Sequence, residues 1–371
     1  MRAGSRTTAP PWVLSVLGPT LPHLRARHDL DGTGAALLLA AFSAGSALGV
    51  GIAGALRPRV SPAVLLGAGA GAVALGCAAV PFAAGAGAAG GGILLAGIGF
   101  GIVDLLLNLL LARSYGSKGG AVLMGLSAAF GVSAVCTPLL VGRAPADLTV
   151  PYLGCTAGAI ALLAMASRLR IPASSDGGPP GTGRSAAPTI VLLGAVLLGY
   201  VTVEGGVAGW ETTHLLAVTA LSEADAARAV ALFWAGLTLG RLVTAPLALR
   251  VHPAAIVVTA LTAGTAALTL ASNAGVSVVA YAVTGALIAP VFPAVITWHT
   301  RSVPDGRGAT GIFAAGLAGP VLTSPVVGSI VDTSGAGGVP WVLCSLAGAT
   351  TALAVALAVR TRRRGACLAA G

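Results

Sequence analysis

FSAGSALGVGIAGALRPRVSP, residues 42–62, returns without a gap at 233–253 as FWAGLTLGRLVTAPLALRVHP. The two stretches share Phe, Ala, Gly, Leu, Gly, Leu, Arg, Val and Pro in register. A second pair follows at nearly the same offset: GLSAAFGVSAVCTPLLVG at 125–142 and GIFAAGLAGPVLTSPVVG at 311–328. Alanine and glycine are cheap matches in this chain, so neither alignment says much alone. Together they read as an internal repeat of two halves. Each stretch is also an apolar block of ~20 residues, the length that crosses the hydrocarbon core of a bilayer.

Working outward, the rest of the chain has the same character. Its 371 residues are 56% hydrophobic and 9% charged, with a mean hydropathy of +0.92. Soluble domains carry roughly 25% charged residues. The net charge of +10 raises the question of nucleic acid, but the arginines stand at the ends of apolar blocks, as in Arg360, Arg362, Arg363 and Arg364. That is how helix ends are held at an anionic membrane surface, so the expected partner is the lipid bilayer and not nucleic acid. The five cysteines (Cys77, Cys136, Cys155, Cys344, Cys367) form no metal-ligand spacing and read as small apolar fillers. No cofactor and no metal are expected.

Twelve spans are expected: 11–24, 33–56, 62–82, 88–112, 119–142, 150–168, 188–214, 226–249, 254–272, 275–299, 308–330 and 338–360. With the N-terminus inside, the inner loops take Arg57, Arg59, Arg113, Lys118, Arg168, Arg170, Arg184, Arg250, Arg301 and Arg307. The outer loops take Arg25, Arg27, Arg143 and Arg228, partly balanced by acids. The positive-inside rule then puts both termini in the cytoplasm, for a multi-pass protein of the cell (cytoplasmic) membrane. Residues 171–187 (IPASSDGGPPGTGRSAA) read as a cytoplasmic linker. The expected division is an N-terminal six-helix bundle (1–170), the linker, and a C-terminal six-helix bundle with a basic tail (188–371). A parallel six-plus-six repeat places a substrate site between the halves, near the bilayer midplane. Glycines at small-xxx-small spacing (Gly45 and Gly49, Gly67 and Gly71, Gly236 and Gly240) permit close helix packing, whether or not the halves move.

Ionisable groups deep in a span cost roughly 2.5–3.5 kcal/mol on insertion scales, so each requires an account. Asp104 stands near the centre of span four in GFGIVDLLLNLLLAR, with Asn108 one turn later on the same face. Glu204 stands in span seven in YVTVEGGVAGWETTHL, flanked by Tyr200 and Trp210. Both acids read as proton-coupling candidates; for Asp104 the plainer alternative is a structural hydrogen bond between helices. Asn108, Tyr200 and Trp210 read as substrate-binding. Glu211 and His214 read as interfacial anchors at the outer surface. Arg241, with Gly240 before it, reads as a gating or structural residue at the inner end of span eight, and Gly49 in span two is the counterpart of Gly240. In span ten, Pro290 and Pro293 break the helix, and Phe292 between them is expected to face the pathway.

These segments resemble the major facilitator superfamily, and within it the branch of fucose permease and related sugar–proton symporters. The likeness covers nearly the whole chain. It rests on Asp104 with Asn108, E-G-G-x-x-G-W (Glu204 to Trp210), F-W-x-G-L-T-x-G-R (Phe233 to Arg241) and A-P-V-F-P (Ala289 to Pro293). It implies an all-α membrane protein of the major facilitator fold, with two six-helix bundles related by a pseudo-two-fold. It also implies alternating access, proton coupling at Asp104 and sugar contact at Asn108. Two features depart from the pattern. LMGLSAA before Phe130 lacks the amides that branch often carries, and the first span, PPWVLSVLGPTLPHL, reads as short or truncated. The expected function is secondary transport of a small, sugar-like polar solute by a monomer with protons as coupling ion, not enzyme catalysis. Proton-antiport efflux of amphipathic drugs or metabolites is the alternative. A non-transporting sensor or assembly factor on the same scaffold is the alternative of another class.

Overall fold

The computed structural model describes residues 12–114, 131, 134–143, 147–166, 187–247, 250–303 and 308–369. The first half contains α1 (Trp12–His28), α2 (Gly32–Leu56), α3 (Pro62–Ala79), α4 (Ala86–Ser114), the helical stretch 134–141 (α5) and α6 (Thr149–Ala166). The second contains α7 (Ala187–Val218), α8 (Glu223–Thr244), α9 (Pro253–Thr269), α10 (Ser277–Ile288), α11 (Val291–Ser302), α12 (Ala309–Ser334) and α13 (Val339–Ala369). Among the described residues, nine helices or helix pairs are long and apolar enough to cross a membrane. The chain is a multi-pass membrane protein. The expected linker falls almost wholly outside the described residues.

Local chemistry sets the helix ends. α1 stops at His28 because Asp29 adopts a left-handed conformation (φ 51°), and Leu30 N–H bonds back to Arg25 C=O at 3.0 Å, a Schellman closure. Arg25 and Arg27 therefore lie in the last turns of α1, not in the loop the hydropathy assigned them to. Asp31 then caps α2 by accepting from Gly34 N–H at 2.6 Å. The repeat shows in how α3 and α9 begin. Ser61 caps α3 and His252 caps α9, each followed by proline at the first helical position, where a missing N–H costs nothing. Span ten is broken as expected: α10 ends at Ile288 and α11 begins after Pro290.

The repeated glycines make equivalent contacts in both halves. A Cβ on Gly45 or Gly49 would stand 2.2 Å from Leu94 C=O or 2.1 Å from Ile98 C=O. On Gly236 or Gly240 it would stand 2.2 Å from Ala282 C=O or Ala286 C=O. So α2 presses on α4 as α8 presses on α10, backbone to backbone. Gly71, by contrast, has nothing within 4 Å, and its place in the expected packing pattern is not realised.

The two halves meet where α1 crosses α7. A Cβ on Gly18 would be 1.8 Å from Ala208 C=O and 3.2 Å from Gly209 Cα. Gly18 opens GPTLPHL (18–24) and Gly209 opens GWETTHL (209–215), a third matched pair, at the offset of 191 that relates Phe42 to Phe233. Repeat-equivalent glycines touching one another mark the pseudo-two-fold axis. The same relation appears at the rim, where Gly142 meets Ala224 at the start of α8 and Gly328 meets Gly32 at the start of α2.

Candidate functional site

A cavity of about 60 Å³ lies on this seam, walled by α1, α2 and α4 on one side and α7 and α12 on the other. That is room for about four waters at ~15 Å³ each, so the halves are drawn together around it. Phe42 and Phe100 form one wall, with ring centroids 5.4 Å apart. Across from them, Gly205 and Gly209 keep α7 low enough for the space to exist; a Cβ on Gly205 would stand 3.3 Å from Pro320. The polar lining is Ser43, Ser46, Ser324 and Glu204. Ser46 already donates to Phe42 C=O at 2.8 Å. Glu204 is the ionisable group of the lining.

Glu204 lies near the middle of the 32-residue α7, 8% exposed. Its Oε1 is 3.4 Å from Arg241 Nη2, at the long edge of a hydrogen bond. Gly240 holds α8 against Ala286 of α10, and the next residue, Arg241, is thereby directed at α7. Arg241, read from the sequence as gating or structural, thus pairs with the acid at mid-span. Tyr200, one turn before Glu204, is fully buried and acts electrostatically on the same pair.

The other expected residues are distributed as follows. Asp104 is half-buried on α4, one turn past Phe100, next to the cavity wall and not in it. Asn108 belongs to α4, and its side chain lies outside the described residues, as does the LMGLSAA segment. Trp210 is buried on α7 and does not line the cavity. Phe292 stacks edge-on against Phe313 of α12 at 5.3 Å. Pro290 sits at the α10–α11 break and Pro293 in the first turn of α11. Glu211 and His214 are 0% exposed, so they are not anchors at a membrane interface; α7 turns them into the bundle.

Sequence reading overlooked the polar clasp at the end of the bundle that carries the α1–α2 turn. Asp332, near the end of α12, accepts from the N–H groups of Gly32 and Thr33 and from Thr33 Oγ1, the last two at 2.8 Å. An acid from the second half thus caps the first turn of a helix in the first. Arg25 adds its charge to Asp332. Beside them, His23 Nε2 of α1 stands 3.3 Å from Glu223 Oε2 of α8. At the opposite end, Gly54 of α2 faces the methyl of Thr310 on α12. Asp332 follows the expected end of its span, where an acid reads as a loop residue.

No protein-family model and no curated protein matches the sequence. Solved structures do match over nearly its full length. The xylose transporter XylE from E. coli, in a partially occluded inward-open conformation, aligns with a TM-score of 0.73 at 13% identity, covering 92% of this chain and 93% of that one. The nucleoside transporter NupG aligns with 0.67 at 15%, covering 94% and 98%. FucP, a major facilitator superfamily transporter in the outward conformation, aligns with 0.65 at 16%, covering 94% and 97%. The chain has the major facilitator fold, as its motifs led us to expect.

Proposed function

We propose that this protein is a proton-coupled secondary transporter that carries a small polar solute by alternating access. One observation carries the reading: a mid-span carboxylate, Glu204, on the wall of a cavity built between two repeat-related halves. A carboxylate there can exchange Arg241 for a proton, and the exchange loosens one half around the solute space. Asp104, one turn from the wall on the other half, is the proposed second carrier, with Asn108, Tyr200, Trp210 and Phe292 as solute contacts when the cavity opens. Structural neighbours that carry sugars, nucleosides and peptides support a polar solute. The halves are taken as 1–170 and 188–371, joined by a cytoplasmic linker. With the N-terminus inside, as the charge bias predicts, the Asp332 clasp shuts the outer face, and this is the conformation closed to the outside.

The apolar share of the lining, with Leu17, Leu39, Phe42, Phe100 and Leu317 in it, favours a second reading. In that reading the cargo is amphipathic and leaves the cell against protons. Both readings are tested in proteoliposomes with a panel of labelled hexoses, pentoses, nucleosides, dipeptides and cationic dyes. The first predicts that an inward proton gradient accelerates entry of one polar class, that a protonophore abolishes the effect, and that Glu204→Gln removes it. Gradient-driven movement of dyes alone supports efflux. Gradient-insensitive traffic of every compound rejects proton coupling altogether.

A further inference from the structure

Two turns beyond Glu204, α7 carries a second buried acid. Glu211 is 0% exposed, and neither of its carboxyl oxygens has a hydrogen-bond partner among the described residues. Around it the polarity continues. His214, also 0% exposed, places Nδ1 3.1 Å from the Tyr281 hydroxyl of α10, with the rings edge-on at 5.7 Å. Its Nε2 and the hydroxyls of Thr212 and Thr213 have no described partner. Tyr281 stands within electrostatic reach of Glu211 and of Cys344 on α13. Among the described residues, no charged group on α1, α8, α11 or α12 acts on Glu211.

An unpaired carboxylate in such a place is among the costliest arrangements a membrane protein can hold, whereas a carboxyl group carrying its own proton is neutral and brings a donor. The repeat shows that the scaffold does not require an acid here. In GPTLPHL, the matched segment of the first half, the position of Glu211 is Thr20, whose hydroxyl is satisfied by Val16 C=O at 2.7 Å and adjoins Tyr152 Oη at 3.3 Å. The second half has replaced a satisfied neutral group with an unsatisfied ionisable one.

Position completes the case. Seven residues place Glu211 on nearly the same face of α7 as Glu204, a rise of about 10 Å. Between them lie Ala208 and Gly209, which line the cavity. We propose that Glu211, with His214 and Tyr281, is a second proton-binding site within the C-terminal half, loaded in this closed conformation and served from the Glu204 cavity. Loading forms the Glu211 O–H bond and breaks that of the Glu204 carboxyl, leaving Glu204 a carboxylate in its pair with Arg241. His214 and Tyr281 then hold the reverse step, taking up the negative charge of Glu211 through their N–H and O–H donors when the helices repack. The direction of coupling rests on the transporter reading; the proton site itself does not.

Infrared difference spectroscopy on the purified full chain in nanodiscs tests it without any solute. The carbonyl stretch of protonated carboxyl groups is followed as pH is raised through neutrality. We expect a band present at neutral pH that Glu211→Gln removes, that Glu204→Gln retains, and that Tyr281→Phe shifts. If the glutamine variant does not fold, Glu211→Asp serves, and a displaced band supports the site. An unchanged band in the Glu211 variants, or none in the native protein at neutral pH, overturns the proposal. Failure of solute transport with the band intact rejects the transporter reading and leaves this site standing.

Discussion

Glu204 and Arg241 sit 3.4 Å apart in a setting where a charge without a partner is expensive. Removing one member of a buried pair leaves the other uncompensated, at about 3–5 kcal/mol, while removing both is far milder. We therefore expect Arg241→Ala to lower the thermal midpoint of the purified protein sharply, and Arg241→Ala with Glu204→Gln to recover most of the loss. Equal midpoints for the single and double variants would show the pair to be energetically idle. These two residues were legible in the sequence because ionisable groups are rare in apolar spans. Their pairing was not, since the reach of Arg241 depends on how closely Gly240 lets α8 approach its neighbours. Glu211 and His214 show a different limit. Trp-Glu-Thr-Thr near a helix end has the composition of an interfacial belt, and only the packing of α10 reveals that it is turned inward. Two signals were present in the chain: the seven-residue step from Glu204, and the likeness of GWETTHL to GPTLPHL.

At the scale of the helix, the repeated glycines set the distances on which the site depends. Adding a side chain at Gly49 or Gly240 would force it within 2.1 or 2.2 Å of a carbonyl oxygen, and backbone cannot give way as a flexible side chain can. Overpacking of this kind costs typically 1–3 kcal/mol and sometimes more. Gly49→Leu and Gly240→Leu are expected to reduce the yield of monodisperse protein and its thermal midpoint. Gly71→Leu, at a site with nothing within 4 Å, should leave both unchanged. The spacing alone could not separate these cases. Gly45, Gly49, Gly236 and Gly240 share it with Gly67 and Gly71, but only the first four lie in the segments that repeat at 42–62 and 233–253. The repeat, and not the abundance of glycine, was the informative signal. The helix ends were less legible because a Schellman turn at Asp29 and the long reach of α12 are decided by single residues that hydropathy averages away.

A polar clasp joins the two halves at the α1–α2 end of their seam. Asp332 accepts from the first N–H groups of α2 across the two halves, supporting a helix start that Asp31 already caps. Marginal two-state ratios respond to single contacts of this kind, so the clasp is expected to bias the resting conformation. Loss of Asp332 should therefore shift the population toward the state open at the α1–α2 end, which the charge bias assigns to the outside.

Ser43, a cavity-lining residue on α2, offers the most direct measurement of alternating access. In a chain whose cysteines are replaced by alanine, Ser43→Cys is labelled with a membrane-impermeant thiol reagent in right-side-out and inside-out vesicles, with and without Asp332→Ala. The account predicts labelling from both faces, and that Asp332→Ala speeds it from the outside while slowing it from the inside. Labelling that rises from both faces together, or that is blocked from either face in every variant, would contradict the two-state seam around Glu204.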